Sequence, residues 1–196
     1  MSLDKEKIAH AALDLLDEVG LDDFTTRKLG AALEISGPSL YWHFRNKGEI
    51  LDMMGERLLA DCLPPPDFKS EPFDWIAWLS EGALGVRAGV LARRDGARLV
   101  ARLSGGSPRY MAELNANVRC LQRIGVSEEE ALSTLMCLGR YAIGWALHEQ
   151  MSDDTELKRR MVDGFEFGLE IFLEGLKAKF GVASPARTRE LKVAGG

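Results

Sequence analysis

Residues 25–50 read TTRKLGAALEISGPSLYWHFRNKGEI. Two short amphipathic segments lie in this stretch, separated by tight turns, and a third begins at its end. Thr25 is a natural N-cap, so a helix runs from Thr26 to about Leu33 with Leu29 and Leu33 facing inward. Pro38 drives Gly37 out of the α region and has the φ of a first helical position. Gly37 is therefore the cap of the next helix and Pro38 its first residue. Asn46 with Glu49 three residues on resembles a capping box and starts a fourth helix reaching about Cys62. With Leu40 and Phe44 on the buried face, 100° per residue turns Pro38, Ser39 and Trp42 outward and puts Tyr41 and His43 on the flanks. A helix of about two turns does not persist alone in water. It has to be held by packing on its neighbours, through Leu29, Ile35, Leu40 and Phe44.

The outward groups are those that grip a phosphate backbone, and the layout is that of a helix-turn-helix DNA reader. The candidate DNA-contacting residues are Thr26, Arg27, Lys28, Ser36, Gly37, Pro38, Ser39, Tyr41, Trp42, His43 and Lys47. Base reading falls to residues 36–39 and to Arg27, since an arginine makes a bidentate contact with guanine. Thr26, Tyr41, Trp42, His43 and Lys47 suit phosphate contacts, which position without reading sequence. The pattern alone leaves a second reading open, a helical small-molecule or partner-binding protein that never touches DNA.

Charge supports a local contact rather than a coat. The 196-residue chain has a net charge of −5, yet between Thr25 and Gly48 it carries Arg27, Lys28, Arg45 and Lys47 against Glu34 alone. Its 46% hydrophobic and 28% charged residues are ordinary for a globular protein. Cys62, Cys120 and Cys137 are scattered, without CxxC or Cys/His clustering, so neither a zinc site nor a disulfide framework is expected, and no cofactor. No nucleophile–base or metal constellation appears, so the chain does not read as an enzyme. Oxidant sensing through Cys120 or Cys137 is a lesser alternative. The acidic amphipathic start is not a signal peptide, no run is apolar and long enough to span a bilayer, and a cytoplasmic location is the default expectation.

Outward from the reader, nearly everything is helical. Ile8, Ala12, Leu15, Leu16 and Val19 form one stripe, which Gly20 stops. Beyond the breaker Leu63-Pro64-Pro65-Pro66-Asp67, helices are expected from about Phe73 to Arg93, Asp95 to Leu103 and Arg109 to Ile124. Ser127 with Glu130 caps a long helix ending near Gln150, and a last one runs to about Phe180. The fold class is all-α. The division is a helix-turn-helix DNA-binding domain over 1–48, a connecting helix over 49–63, a ligand-binding and dimerisation domain over 64–182, and a flexible tail over 183–196.

TTRKL followed by PSLYWHFRNK resembles the amino-terminal domain of the TetR family of transcriptional regulators, and within it the tetracycline-repressor class. The likeness continues through Trp75, Arg93-Arg94-Asp95-Gly96-Ala97, Ser127, Gly139, Gly144 and Phe167-Gly168-Leu169-Glu170. It implies a homodimeric, ligand-responsive repressor of a palindromic operator, released when a small molecule in the regulatory core tilts the fourth helix. It also implies an interface built from the two last long helices. The residues that suit this are Leu138 and Ala142 on one, and Phe165, Gly168, Leu169, Phe172 and Leu176 on the other. For the effector, an apolar and planar molecule, the candidates are Trp78, Met111, Asn115, Met136, Tyr141, Trp145 and His148. Where the tetracycline-repressor class holds a magnesium–tetracycline chelate, this chain has Gly82, Val100 and His148, so a different effector is expected.

Overall fold

The computed structural model describes residues 5–60, 73–103 and 108–181. Among them there are nine helices and no strand: α1 (Lys5–Asp23), α2 (Thr26–Ala32), α3 (Gly37–Leu40), α4 (Lys47–Ala60), α5 (Trp75–Leu91), α6 (Gly96–Ala101), α7 (Pro108–Gln122), α8 (Glu128–Met151) and α9 (Thr155–Phe180). The all-α class is as expected. Cys62, the triple-proline breaker, residues 104–107 and the tail from 183 lie outside the described residues.

The helix starts follow from their caps. Thr25 Oγ1 accepts from the Lys28 N–H at 3.1 Å, and Ser127 Oγ from that of Glu130 at 3.3 Å. Asp74 and Asp154 cap α5 and α9 in the same way, with bonds of 2.9–3.0 Å. The Asn46–Glu49 box forms with one change. Asn46 Oδ1 accepts from the Glu49 N–H, but the Glu49 carboxylate reaches back to the N–H of Arg45 rather than that of Asn46.

Gly20 does not stop α1 as expected. It adopts φ 78°, ψ 168° and kinks the helix, which regains a turn to Asp23. The kink releases the Leu21 N–H from helical bonding, and Asp95 Oδ2 takes it at 2.8 Å.

Two cores result. Ile8, Leu13, Leu16, Phe24, Leu29, Leu40, Phe44, Ile50, Leu51 and Met54 close the first. Leu58, Leu59, Trp78, Leu79, Val86, Leu121, Leu138, Phe165 and Leu173 belong to the second. The changeover falls within α4, between Met54 and Leu58. Leu99 of α6 is fully buried in the first core, a burial worth about 1.5–3 kcal/mol, so α6 as well as α4 joins the two units. Gly96 allows the close turn before α6: a Cβ there would strike the Val90 carbonyl oxygen.

Candidate nucleic-acid interface and effector cavity

The reader is built on α2 and α3. Glu34, between them, is in the left-handed region at φ 55°, which costs a non-glycine residue about 1 kcal/mol or more. The Ile35 N–H donates to the Gly30 carbonyl at 2.9 Å and locks that turn. The expected two-turn helix is one turn, Gly37–Leu40, followed by a tight turn in which the His43 and Phe44 N–H groups both donate to the Leu40 carbonyl. Leu40 and Phe44 are buried as expected, while Trp42 is 88% exposed and Tyr41 54%.

The other candidates divide. Arg27, Lys28 and Ser36 are exposed; Thr26, Ser39, His43 and Lys47 are half-buried. Tyr41 Oη lies 3.5 Å from Thr26 Oγ1, so the expected phosphate contacts on α2 and after α3 share one surface. Ser36 and Ser39 bond to one another at 2.8 Å, which turns Ser39 along the backbone rather than fully outward. Gly37 and Pro38 form the first turn of α3. Lys47 is less free than its charge suggests. Its ammonium donates to the Phe24 carbonyl at 2.5 Å and lies 5.7 Å from the centre of that ring. Lys28 similarly donates to the Asp23 carbonyl at 3.0 Å. Both cations close the carboxyl end of α1, where the carbonyls lack helical partners. Arg45, absent from the expected contact set, has a side chain 91% exposed beside this surface.

A polar clasp joins the reader to the second core. Arg93 Nη1 bonds to Asp17 at 2.5 Å and Asp14 at 3.1 Å, and the Arg94 N–H donates to Asp17 at 2.8 Å. Arg98 spans Asp22 at 2.9 Å and Asp95 at 2.8 Å. Hydrogen bonding from Arg98 holds the Asp22 carboxyl below its ordinary pKa. Burial pushes the Asp95 carboxyl up, but the Leu21 N–H and Arg98 outweigh it and leave that group low as well. Gln150 of α8 ties the back of the clasp, accepting from the Ala97 N–H and donating to the Val90 and Arg93 carbonyls. Sequence reasoning met Arg93–Ala97 only as a family likeness. The acidic last turns of α1, Asp14, Asp17 and Asp22, were the available signal.

An inner cavity of about 100 Å³ lies between α5, α7 and α8, with Leu59 of α4 in its wall. Trp78 lines it as expected, and so does Gly82. The other effector candidates are not gathered there. Met111 and Met136 are 41% and 38% exposed, and Asn115 and His148 also face outward on the single chain. Tyr141, Trp145 and His148 line a shallow groove with Arg140, Gly144 and Met161 instead. Tyr141 is committed to packing, its hydroxyl donating to the Phe165 carbonyl at 2.8 Å and its ring stacked on Phe165 at 5.3 Å. The polar residues of the inner cavity are Tyr110, Glu113 and Asn117 of α7. Met111 and Asn115, expected beside the effector, stand on the exposed side of the same helix. Tyr110, Leu114, Val118 and Leu121, at i, i+4, i+8 and i+11, mark its inward face.

The expected interface residues divide by burial within the single chain. Leu138, Ala142, Phe165, Leu169 and Leu176 are at most 9% exposed within one chain, and Leu138 lines the inner cavity. Gly168 and Phe172 are half-buried. Those stripes pack α8 and α9 on each other and on α5. The open apolar face of α9 is Phe167 and Ile171, 66% and 57% exposed. They stand roughly opposite Phe165 and Leu169, because two residues turn a helix by 200°.

A family model described as "Bacterial regulatory proteins, tetR family" matches residues 8–54, and one described as "Tetracyclin repressor-like, C-terminal domain" matches 69–163. The class A tetracycline repressor from transposon 1721 of Escherichia coli is 35% identical over 89% of this chain and 90% of its own. The crystal structure of the Q116A tetracycline repressor of Acinetobacter baumannii AYE with minocycline superposes with a TM-score of 0.80 at 35% identity, over 92% of this chain and all of that one. BioQ with its double-stranded DNA operator gives 0.71 at 28% identity, over 90% and 99%.

Proposed function

The chain belongs to the tetR family of bacterial regulatory proteins, and from that premise we propose a ligand-responsive transcriptional repressor that binds a palindromic operator as a homodimer and is released by a small molecule. The observation that carries the reading is the sharing of α4. Ile50, Leu51 and Met54 of this one helix pack in the reader core, while Leu59 stands in the cavity wall. A ligand that displaces the wall at Leu59 moves the reader, and two readers in a dimer then lose their spacing on the operator.

On the DNA side, Arg27 and residues 36–39 read bases, and Tyr41, Trp42, His43 and Thr26 hold phosphates, with Arg45 added to them. Lys28 and Lys47 hold the end of α1 and lend their remaining N–H donors to the backbone contact. The dimer forms on Phe167 and Ile171 of α9 and the exposed side of α8 at Met136, with Gly168 and Phe172 at the edge. Val100, packed in the second core, and His148, on the surface, do not supply the imidazole and carboxylate of a magnesium–tetracycline site. The effector is instead an apolar, ring-bearing molecule in the inner cavity. No helix among the described residues is long and apolar enough to cross a membrane, and a cytoplasmic location suits a protein that acts on the chromosome.

Operator binding tests this against a helical binder without DNA activity. With the duplex upstream of its own gene, the protein's log affinity should fall linearly with log salt, with a slope of about −0.9 per phosphate neutralised. Binding indifferent to both salt and sequence would leave the DNA-free alternative standing.

A further inference from the structure

The outer face of α8 and α9 carries a hollow and a projection side by side. The hollow is a groove of about 350 Å³ lined by Arg140, Tyr141, Gly144, Trp145, His148 and Met161. The projection is Phe167 of α9, 66% exposed, with Ile171 one turn on. Gly144 opens the hollow, since no atom of the subunit lies within 4 Å of where its Cβ would stand. A glycine inside a helix costs about 1 kcal/mol relative to alanine, and nothing within the subunit requires one here. We propose that the groove receives Phe167 of a second copy of this chain, and that Arg140 pairs with Glu170 of that copy. This rests on the homodimer reading.

The layout of the face matches a two-fold. A Cβ at Gly164 would strike the Trp145 ring, and one at Gly168 the Tyr141 hydroxyl. The two helices therefore run antiparallel in step, with Gly144 level with Phe165 and Arg140 level with Leu169. Round α8 from Tyr141, Gly144 lies at about 60° and Arg140 at about 100°. Round α9 from Gly168, turned toward the same open face, Phe167 lies at about 100° and Glu170 at about 160°. A two-fold axis lying in this face along the helices reverses the order across it and keeps each residue at its level. It lays Phe167 of the partner subunit over the groove at Gly144, roughly 3 Å off level, and Glu170 of the partner subunit beside Arg140, roughly 1.5 Å off level. The charges await such a contact. Both residues are exposed, Arg140 donates to the Met136 carbonyl of its own helix at 3.2 Å, and among the described residues no cation bonds to Glu170. Room suffices as well, since an engineered cavity of about 150 Å³ admits benzene.

Sedimentation velocity over a concentration series, giving the dimer dissociation constant of the full chain and its variants, tests the proposal. Arg140→Glu and Glu170→Arg each set like charges against one another at both symmetry-related contacts, and each should weaken the dimer at least about tenfold. The two changes in one chain restore opposite charges and should return the constant to within about threefold of the parent. Gly144→Leu fills the groove and should weaken the dimer at least about tenfold while circular dichroism shows the same helix content. The charge reversals lie at exposed positions, so they stand as a test even where Gly144→Leu does not fold. Single reversals that dimerise like the parent, or a double reversal no tighter than the singles, overturn the proposal. So does a folded Gly144→Leu protein that dimerises like the parent. In each of these cases a dimeric parent leaves the homodimer reading in place. A parent that is monomeric at every concentration overturns both.

Discussion

Arg87 and Glu149 form a two-pronged ion pair across the second core, with Nε to Oε1 at 2.8 Å and Nη2 to Oε2 at 2.7 Å. The side chains are 14% and 7% exposed, and the Arg87 guanidinium lies 5.0 Å from the centre of the Phe165 ring. One pair thus ties α5, α8 and α9. Parallel bonding leaves little unsatisfied on either partner, yet both ions have been taken out of water. Removing Glu149 alone as Ala strands a buried cation and should cost about 3–5 kcal/mol in denaturant unfolding. The double change Arg87→Met with Glu149→Leu should recover most of that loss. Additive losses in the double variant would show that the pair itself, and not the stranded charge, carries the stability.

Arg27 and Lys47 should behave differently. Arg27 is exposed on α2, so Arg27→Ala should leave the melting temperature in place and weaken operator binding by about 1–3 kcal/mol, with relaxed preference at one base pair. Lys47 holds the Phe24 carbonyl and ring, so Lys47→Ala should lower operator affinity and melting temperature together. A selection on randomised operators beside thermal melting checks both. A thermally silent Lys47→Ala would mean that its bond to Phe24 contributes nothing.

The clasp gives a pH dependence of definite sign. Asp95 and Asp22 both titrate below their ordinary value of 3.8 when folded. A carboxyl with a depressed folded pKa adds stability that is complete above the unfolded value and is lost as pH falls through the folded one. Melting temperature should therefore decline as pH drops from about 5 toward 2. Asp95→Asn, which cannot titrate, should melt lower at pH 7 and fall less steeply over that range. Parallel curves for the two proteins would remove Asp95 from the acid response.

The two faces of α9 separate stability from assembly. Leu169 is 4% exposed in one chain, and Leu169→Ala should cost about 2–5 kcal/mol of fold stability. Phe167, 66% exposed, contributes little to that fold. Phe167→Glu should give a folded monomer in sedimentation velocity that no longer binds a palindrome cooperatively. A dimeric Phe167→Glu protein would place the interface elsewhere.

Much of this was legible in the chain. Thr25, Asn46 and Ser127 announced their helices because a cap is a contact over three residues. Leu40 and Phe44 were legible as anchors because a short helix has few choices of inward face. The α7 wall was legible too, in Tyr110, Leu114, Val118 and Leu121, whereas Met111 and Asn115 are exposed on the single chain. For α9 the periodicity offered two apolar stripes, and residues 165, 169 and 176 looked as suitable for a partner as 167 and 171.

The sequence by itself determined an all-helical chain, a helix-turn-helix reader over residues 25–50 and the family that carries it. These rest on local spacing, where propensity, caps and periodicity act within a few residues. The tertiary structure alone decided which stripe of α9 is spent inside the subunit, that Lys47 closes α1, and that Tyr110, Glu113 and Asn117 line the cavity. It also decided that Asp95 waits for the amide released at Gly20, 74 residues away for Leu21. The physical reason is that periodicity defines the faces of a helix but not what each face meets. Only packing pairs groups so distant in the chain, and only packing determines which polar groups lose water and must find one another.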